Sequence, residues 1–153
     1  MRASLLLPLA LLALAGCRDQ RQQLGQALSG KPPVIAGSLE GEWQIEDLNG
    51  GGPVAQSRLM FDPGDQGTSR LSGTAGCNRF NGSWKQDGAT LKLGPMASTR
   101  MACPPPAMEI EQRVVALLEA ANSVTYTADG AAILATPDGR KVTLRKPAQS
   151  AQP

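Results

Sequence analysis

Histidine is absent from all 153 residues, which removes Ser-His-Asp and Cys-His catalysis, histidine-ligated zinc and a histidine pH switch. A hydrolase built from this chain would need a Ser–Lys pair or two carboxylates. The nearest Ser–Lys pair is Ser83 and Lys85, two positions apart and therefore on one face of a strand, a spacing that also arises by chance. The acidic residues are scattered over turns and outward strand positions and make no glycosidase-like pair. Gly50-Gly51-Gly52 lacks the following lysine and helix of a phosphate-binding loop. The expectation is a non-enzymatic protein with no catalytic residue, no metal and no cofactor.

Two stretches carry distinctive side chains. In Gly76-Cys77-Asn78-Arg79-Phe80-Asn81-Gly82-Ser83-Trp84, two amides flank an arginine and a phenylalanine between glycines, a composition suited to a tight loop with side-chain-to-backbone hydrogen bonds. It reads either as a structural corner pinned by Asn78 and Cys77, or as an exposed recognition surface of Asn78, Arg79 and Asn81 offering donors to carboxylates or carbonyls. In Gly94 to Pro104, strand geometry places Ala97, Thr99, Met101 and Cys103 on one face and Met96, Ser98, Arg100 and Ala102 on the other. Both faces carry apolar groups, so a strand sandwiched between sheet and helix is expected. Arg100, if it faces solvent beside Arg79, would complete a small anion site.

The three cysteines divide around the N-terminus. Arg2 precedes an apolar run, Leu5 to Leu14 with Pro8 inside it, that is short of the roughly 20 residues needed to span a bilayer. It reads as a cleaved leader over 1–16. Leu14-Ala15-Gly16-Cys17 resembles the lipobox of bacterial lipoproteins, which implies acylation of Cys17 and a stable lipid anchor. By the sorting rule of such lipoproteins, Arg18 after the cysteine implies the periplasmic face of the outer membrane. Residues 17–38, rich in Gln, Gly and Pro, are expected to be a flexible tether, and 147–153 a disordered tail. Cys77 and Cys103 remain as an even pair in an oxidising compartment, for which a disulfide is the default and two separately buried thiols the alternative.

The elements that must position these residues are mostly strands. Asp87-Gly88, Asp129-Gly130 and Asp138-Gly139 predict three hairpins with type I′ turns. Period-two alternation marks Trp43 and Ile45, Leu59 and Phe61, Leu91 and Leu93, Val124 and Tyr126, and Val142 and Leu144 as inward positions. From Ala107 the period changes. Ala107, Ile110, Val114, Leu117, Leu118 and Ala121 form the stripe of an amphipathic helix opened by Pro104 to Pro106, with Glu109 and Glu111 near its positive end. Lys plus Arg exceeds Asp plus Glu by only 15 to 13, and five aromatics offer no stacking surface, so no nucleic-acid partner is expected.

Gly76-Cys77-Asn78, Phe80 with Gly82 and Trp84, Leu91 with Leu93, Met96, and Thr99-Arg100-Met101-Ala102-Cys103-Pro104 before the helix together resemble the META domain of HslJ-like bacterial lipoproteins. The resemblance spans the folded domain read over 39–146. It implies an α+β, mainly β fold: a small, strongly curved antiparallel sheet, almost a barrel, with one amphipathic helix packed across it. It also implies a role in envelope maintenance or stress with no established enzymatic activity and no defined functional residues. The expected protein is a monomer, held to the membrane by Cys17, that docks on an envelope partner. The alternative is a carrier of a small apolar ligand in a cavity lined by Leu59, Phe61, Met101 and Leu117.

Overall fold

The computed structural model describes residues 36–64 and 69–148; the expected leader over 1–16, Cys17, nearly all of the expected tether and residues 149–153 of the expected tail lie outside them. The alternating segments form strands β1 (Gly41–Leu48), β2 (Arg58–Asp62), β3 (Arg70–Thr74), β4 (Arg79–Asp87), β5 (Thr90–Leu93), β6 (Ala97–Ser98), β7 (Ser123–Tyr126), β8 (Ala132–Ala135) and β9 (Lys141–Arg145), with helix α1 (Pro105–Ala120) between β6 and β7. All pairings are antiparallel. β1 pairs with both β2 and β9, and β3 pairs with β4, so eight strands close into a ring that leaves the two-residue β6 outside it, on β4. Closure gives every ring strand a partner on both sides, between β5 and β7 through the one register pair of Thr90 with Ser123. The curved sheet expected from the sequence is thus a complete barrel.

The inward positions follow the period-two reading. Trp43, Ile45, Leu59, Phe61, Leu91, Val124, Val142 and Leu144 are all buried, while Leu93 and Tyr126 pack partly buried at the margin of the core. The whole cluster lies between Leu39 and Leu144, so the barrel contains its own core. Phe61 and Trp84 meet edge to face, 5.4 Å between centroids at 88°, which adds about 0.5–1.5 kcal/mol beyond area burial. Helix α1 lies over the mouth where β3 ends and β4 begins, and buries Val114, Leu117 and Leu118. At the other mouth Leu39 is fully buried, its carbonyl accepting from Trp43 Nε1 at 2.6 Å and its N–H donating to Gln86. Gly37, assigned to the tether by composition, lies against the ring of Tyr126.

The hairpin turns differ from the type I′ expectation, which requires positive φ at both central residues. Asp87 pairs with Thr90, so the first loop is Gly88-Ala89, with positive φ at Gly88 alone. The other two are five-residue loops, Thr127 to Ala131 and Thr136 to Arg140, and only Gly130 (φ 84°) and Gly139 (φ 88°) are left-handed. In these two five-residue loops a threonine hydroxyl holds the turn. Thr127 Oγ1 accepts from Ala131 N at 2.9 Å, and Thr136 Oγ1 bonds the Asp138 carboxylate. These hydroxyls also hold the Asp129 and Asp138 carboxyls below the usual carboxylate range, with Arg145 and Arg140 assisting.

β3 was not foreseen, because Leu71 is its only fully buried residue. Gly73 lets it cross between β2 and β4: a Cβ there would sit 2.6 Å from the Arg58 carbonyl oxygen and 2.8 Å from Leu59 Cδ2. Gly73→Ala is therefore expected to destabilise by about 1–3 kcal/mol through overpacking. Urea unfolding measures it, and an unchanged midpoint would mean that the sheet yields freely at this crossing.

Candidate functional site

The corner between β3 and β4 is built around a bond and two buried polar side chains. Gly76 has φ 137° and lies against the Ala107 carbonyl in the first turn of α1. Next to it, Cys77 is joined to Cys103 as a disulfide with Cα atoms 6.3 Å apart. Asn78 follows, 6% exposed. Its N–H donates to Glu111 Oε2 at 2.6 Å, and its Oδ1 accepts from Met101 N at 2.8 Å and from the Thr99 hydroxyl at 3.1 Å. Thr99 completes the set: its N–H donates to the Arg79 carbonyl at 2.9 Å and its hydroxyl accepts from Arg79 N at 3.1 Å.

Three sequence expectations are corrected here. Asn78 is no part of an exposed recognition surface; its amide is spent inside the corner, the alternative the composition also allowed. Only Gly76 to Asn78 form the tight loop, since Arg79 already begins the nine-residue β4. The stretch from Gly94 to Pro104 is not sandwiched between sheet and helix. It pairs with β4 only at Ala97 and Ser98, and residues 97–102 are exposed. The physical reason is that the disulfide and the Asn78 carbonyl draw this segment across the corner, away from the barrel interior. Met101, expected to line a carrier cavity with Leu59 and Phe61, is accordingly 56% exposed while those two are fully buried.

Glu111 is the residue that sequence reasoning misplaced. It was read as a complement to the helix dipole, yet α1 has no acidic residue in its first turn, and Glu111 is 6% exposed with its carboxyl on Asn78. The signal was present: Glu111 stands four residues after Ala107 and three before Val114, on the apolar stripe itself.

Arg79 and Asn81 are exposed on the outside of β4, as the recognition reading required, but their neighbours differ from those expected. The register aligns three outward rows across β2, β3 and β4: Arg58, Thr74 and Arg79; then Met60, Ser72 and Asn81; then Asp62, Arg70 and Ser83. Ser72, Gly73 and Thr74 on β3, between longer side chains on β2 and β4, leave a shallow cleft of about 680 Å³, lined by Arg58, Met60, Arg70, Ser72, Arg79 and Asn81 among others. Arg100 is exposed but is not among its lining residues. Arg58 and Arg70 take the place assigned to it, and their part became visible only through the register. Arg58 bonds Glu42 at 2.6 Å, and that hydrogen bond holds its guanidinium above the ordinary arginine value.

Ser83 and Lys85 line a neighbouring open cleft of about 630 Å³ with Arg70 and Lys92. Lys85 stands opposite Lys92 across the β4–β5 pair, and no hydrogen bond joins the serine and the lysine among the described residues. Among those residues no three His, Cys, Asp or Glu side chains converge on a common point.

A closed antiparallel barrel with one helix over its mouth and a disulfide-pinned corner defines a class of small barrel domains. The META domain family matches residues 37–149, and the chain belongs to it. Among solved structures, an NMR structure of a protein from Burkholderia xenovorans shares 22% identity at a TM-score of 0.55, covering 78% of this chain and 97% of that one. A second NMR structure shares 27% identity at a TM-score of 0.52, covering 69% and 88%. No curated protein matches the chain.

Proposed function

We propose that the chain is a lipid-anchored envelope protein that works by docking rather than by catalysis. The observation that carries the reading is the pairing of a META domain over 37–149 with an apolar N-terminal run followed by the lipobox-like Leu14-Ala15-Gly16-Cys17. Acylation at Cys17 would fix the domain to the membrane, and among the described residues no helix is long and apolar enough to cross it. The outward side chains of β4 (Arg79, Asn81, Ser83 and Lys85) face solvent, as a docking surface requires.

The test is fractionation of cells producing the full chain or Cys17→Ser. The wild type is expected in the membrane pellet after a high-salt wash, and the variant in the soluble periplasm with its fold intact. A variant that stays in the salt-washed pellet would refute the anchor.

A further inference from the structure

Charge is distributed unevenly over the barrel, although the whole chain is near balance at 15 Lys plus Arg against 13 Asp plus Glu. On the β8–β9 side, Arg140 is paired with Asp138, and Arg145 with Glu46 and Asp129, all at 2.9 Å, and exposed Lys141 is the cation of these two strands without an ion pair among the described residues. The outer face of β2 to β5 is different. Arg58, Arg70, Arg79, Lys85 and Lys92 all point outward there, and of these only Arg58 makes an ion pair among the described residues. Among the described residues the acidic groups on this face are Asp62, opposite Arg70, and Asp87, at the end of β4. Glu42, next to it on β1, is the partner of Arg58.

The face is also shaped. Arg58 and Arg79 stand in one row on either side of Thr74, two strand spacings or about 10 Å apart. The floor between the rows is made of Ser72 and Thr74 hydroxyls, and Met60, 36% exposed, lies beside them. Guanidinium groups match phosphate oxygens in geometry as well as charge. Hydroxyls supply further donors, and a single exposed apolar side chain among cations suits an interface whose charged layer covers hydrocarbon.

From this we infer that the outer face of β2 to β5 rests on a membrane surface, with Arg58, Arg70 and Arg79 holding the phosphate groups of anionic lipids in the cleft between them. The inference deepens the anchored reading and rests on it only for the nearness of a membrane. Anchoring at Cys17 would then give position, and this face would give orientation, turning α1 and the disulfide corner toward or away from partners in a fixed way.

The experiment is co-sedimentation of the domain 36–148, which contains the whole core and lacks the anchor, with vesicles of phosphatidylcholine alone or mixed with phosphatidylglycerol. Binding is expected to the mixed vesicles at low salt, with none to the neutral ones, and loss at high salt as the charges are screened. At about 1 kcal/mol per basic residue, Arg70→Ser should weaken binding about 5-fold and Arg70→Ser with Arg79→Ser about 25-fold. Lys141→Ser on the far side should leave it unchanged. Equal binding to neutral vesicles, equal weakening by Lys141→Ser, or no binding to either vesicle would overturn the inference. So would displacement by free inorganic phosphate at matched ionic strength, which would mark a small-anion site instead. Because the anchor is absent, none of these results bears on Cys17, and the cell fractionation tests that separately.

Discussion

Cys77→Ala is expected to lower the unfolding free energy by about 3–4 kcal/mol, the chain-entropy value for a closure spanning 26 positions. Cys103→Ala should cost the same, and the double variant little more than either, because all three remove one bond. The location of the bond sharpens the expectation. It ties the β3–β4 corner to the segment that leads into α1, and that segment pairs with β4 at only two residues, Ala97 and Ser98. Without the bond, the hydrogen bonds that hold residues 99–103 among the described residues are those of the Asn78 carbonyl and the Thr99–Arg79 contacts. Hydrogen exchange should therefore rise first at Met101 N–H and in the first turn of α1, before the barrel strands. Guanidinium unfolding of the oxidised domain and the three variants gives the energies. Losses that add between the two single variants would show that each cysteine contributes separately, and would remove the bond from the account of stability.

How much of this was legible in the sequence can be judged element by element. Strands with two inward apolar residues, such as Trp43 with Ile45 or Val142 with Leu144, were read because alternation is a local signal. The disulfide could be expected because one cysteine stands in the lipobox-like Leu14-Ala15-Gly16-Cys17 and two are left. β3 was missed because Arg70-Leu71-Ser72-Gly73-Thr74 shows a single apolar residue and contains glycine, which strands disfavour. Its place is fixed by ladder pairing to β2 and β4 on both sides, a non-local cause. β4 was read as a loop in its first half for a related reason: Asn81 and Gly82 lower strand propensity, although Phe80 and Trp84 keep the inward parity. The basic face was hidden most completely. Arg58, Arg70 and Arg79 are separated by at least nine positions in the chain, and only the register sets Arg58 and Arg79 in one row with Arg70 two rows along. Arg100, the expected companion of Arg79, lies 21 positions from it in the chain and is not among the side chains that line the cleft.

Glu111→Ala is expected to destabilise by about 2–4 kcal/mol, an effect rivalling loss of the disulfide. The substitution removes the acceptor of the Asn78 N–H, which is 2.6 Å from Oε2 in a corner where both residues are 6% exposed. An unpaired buried donor costs about 1–3 kcal/mol, and the lost methylenes leave a void under α1 that adds to it. Glu111→Gln keeps the shape and one acceptor oxygen, so its cost should be near 1 kcal/mol. Asn78→Ala acts through other atoms. It spares its own N–H but strips the acceptor from Met101 N and the Thr99 hydroxyl, for a loss of about 1–3 kcal/mol that water reduces on the exposed side. The two bonds meet at one residue and fix the same corner, so the double variant should lose less than the sum of the singles. Thermal or urea unfolding of the four proteins tests this. If Glu111→Ala were no worse than Glu111→Gln, the carboxyl would be accommodated in the corner rather than holding it, and the closure of the barrel mouth by α1 would rest on its apolar side chains, Val114, Leu117 and Leu118 with Ile110 and Val115.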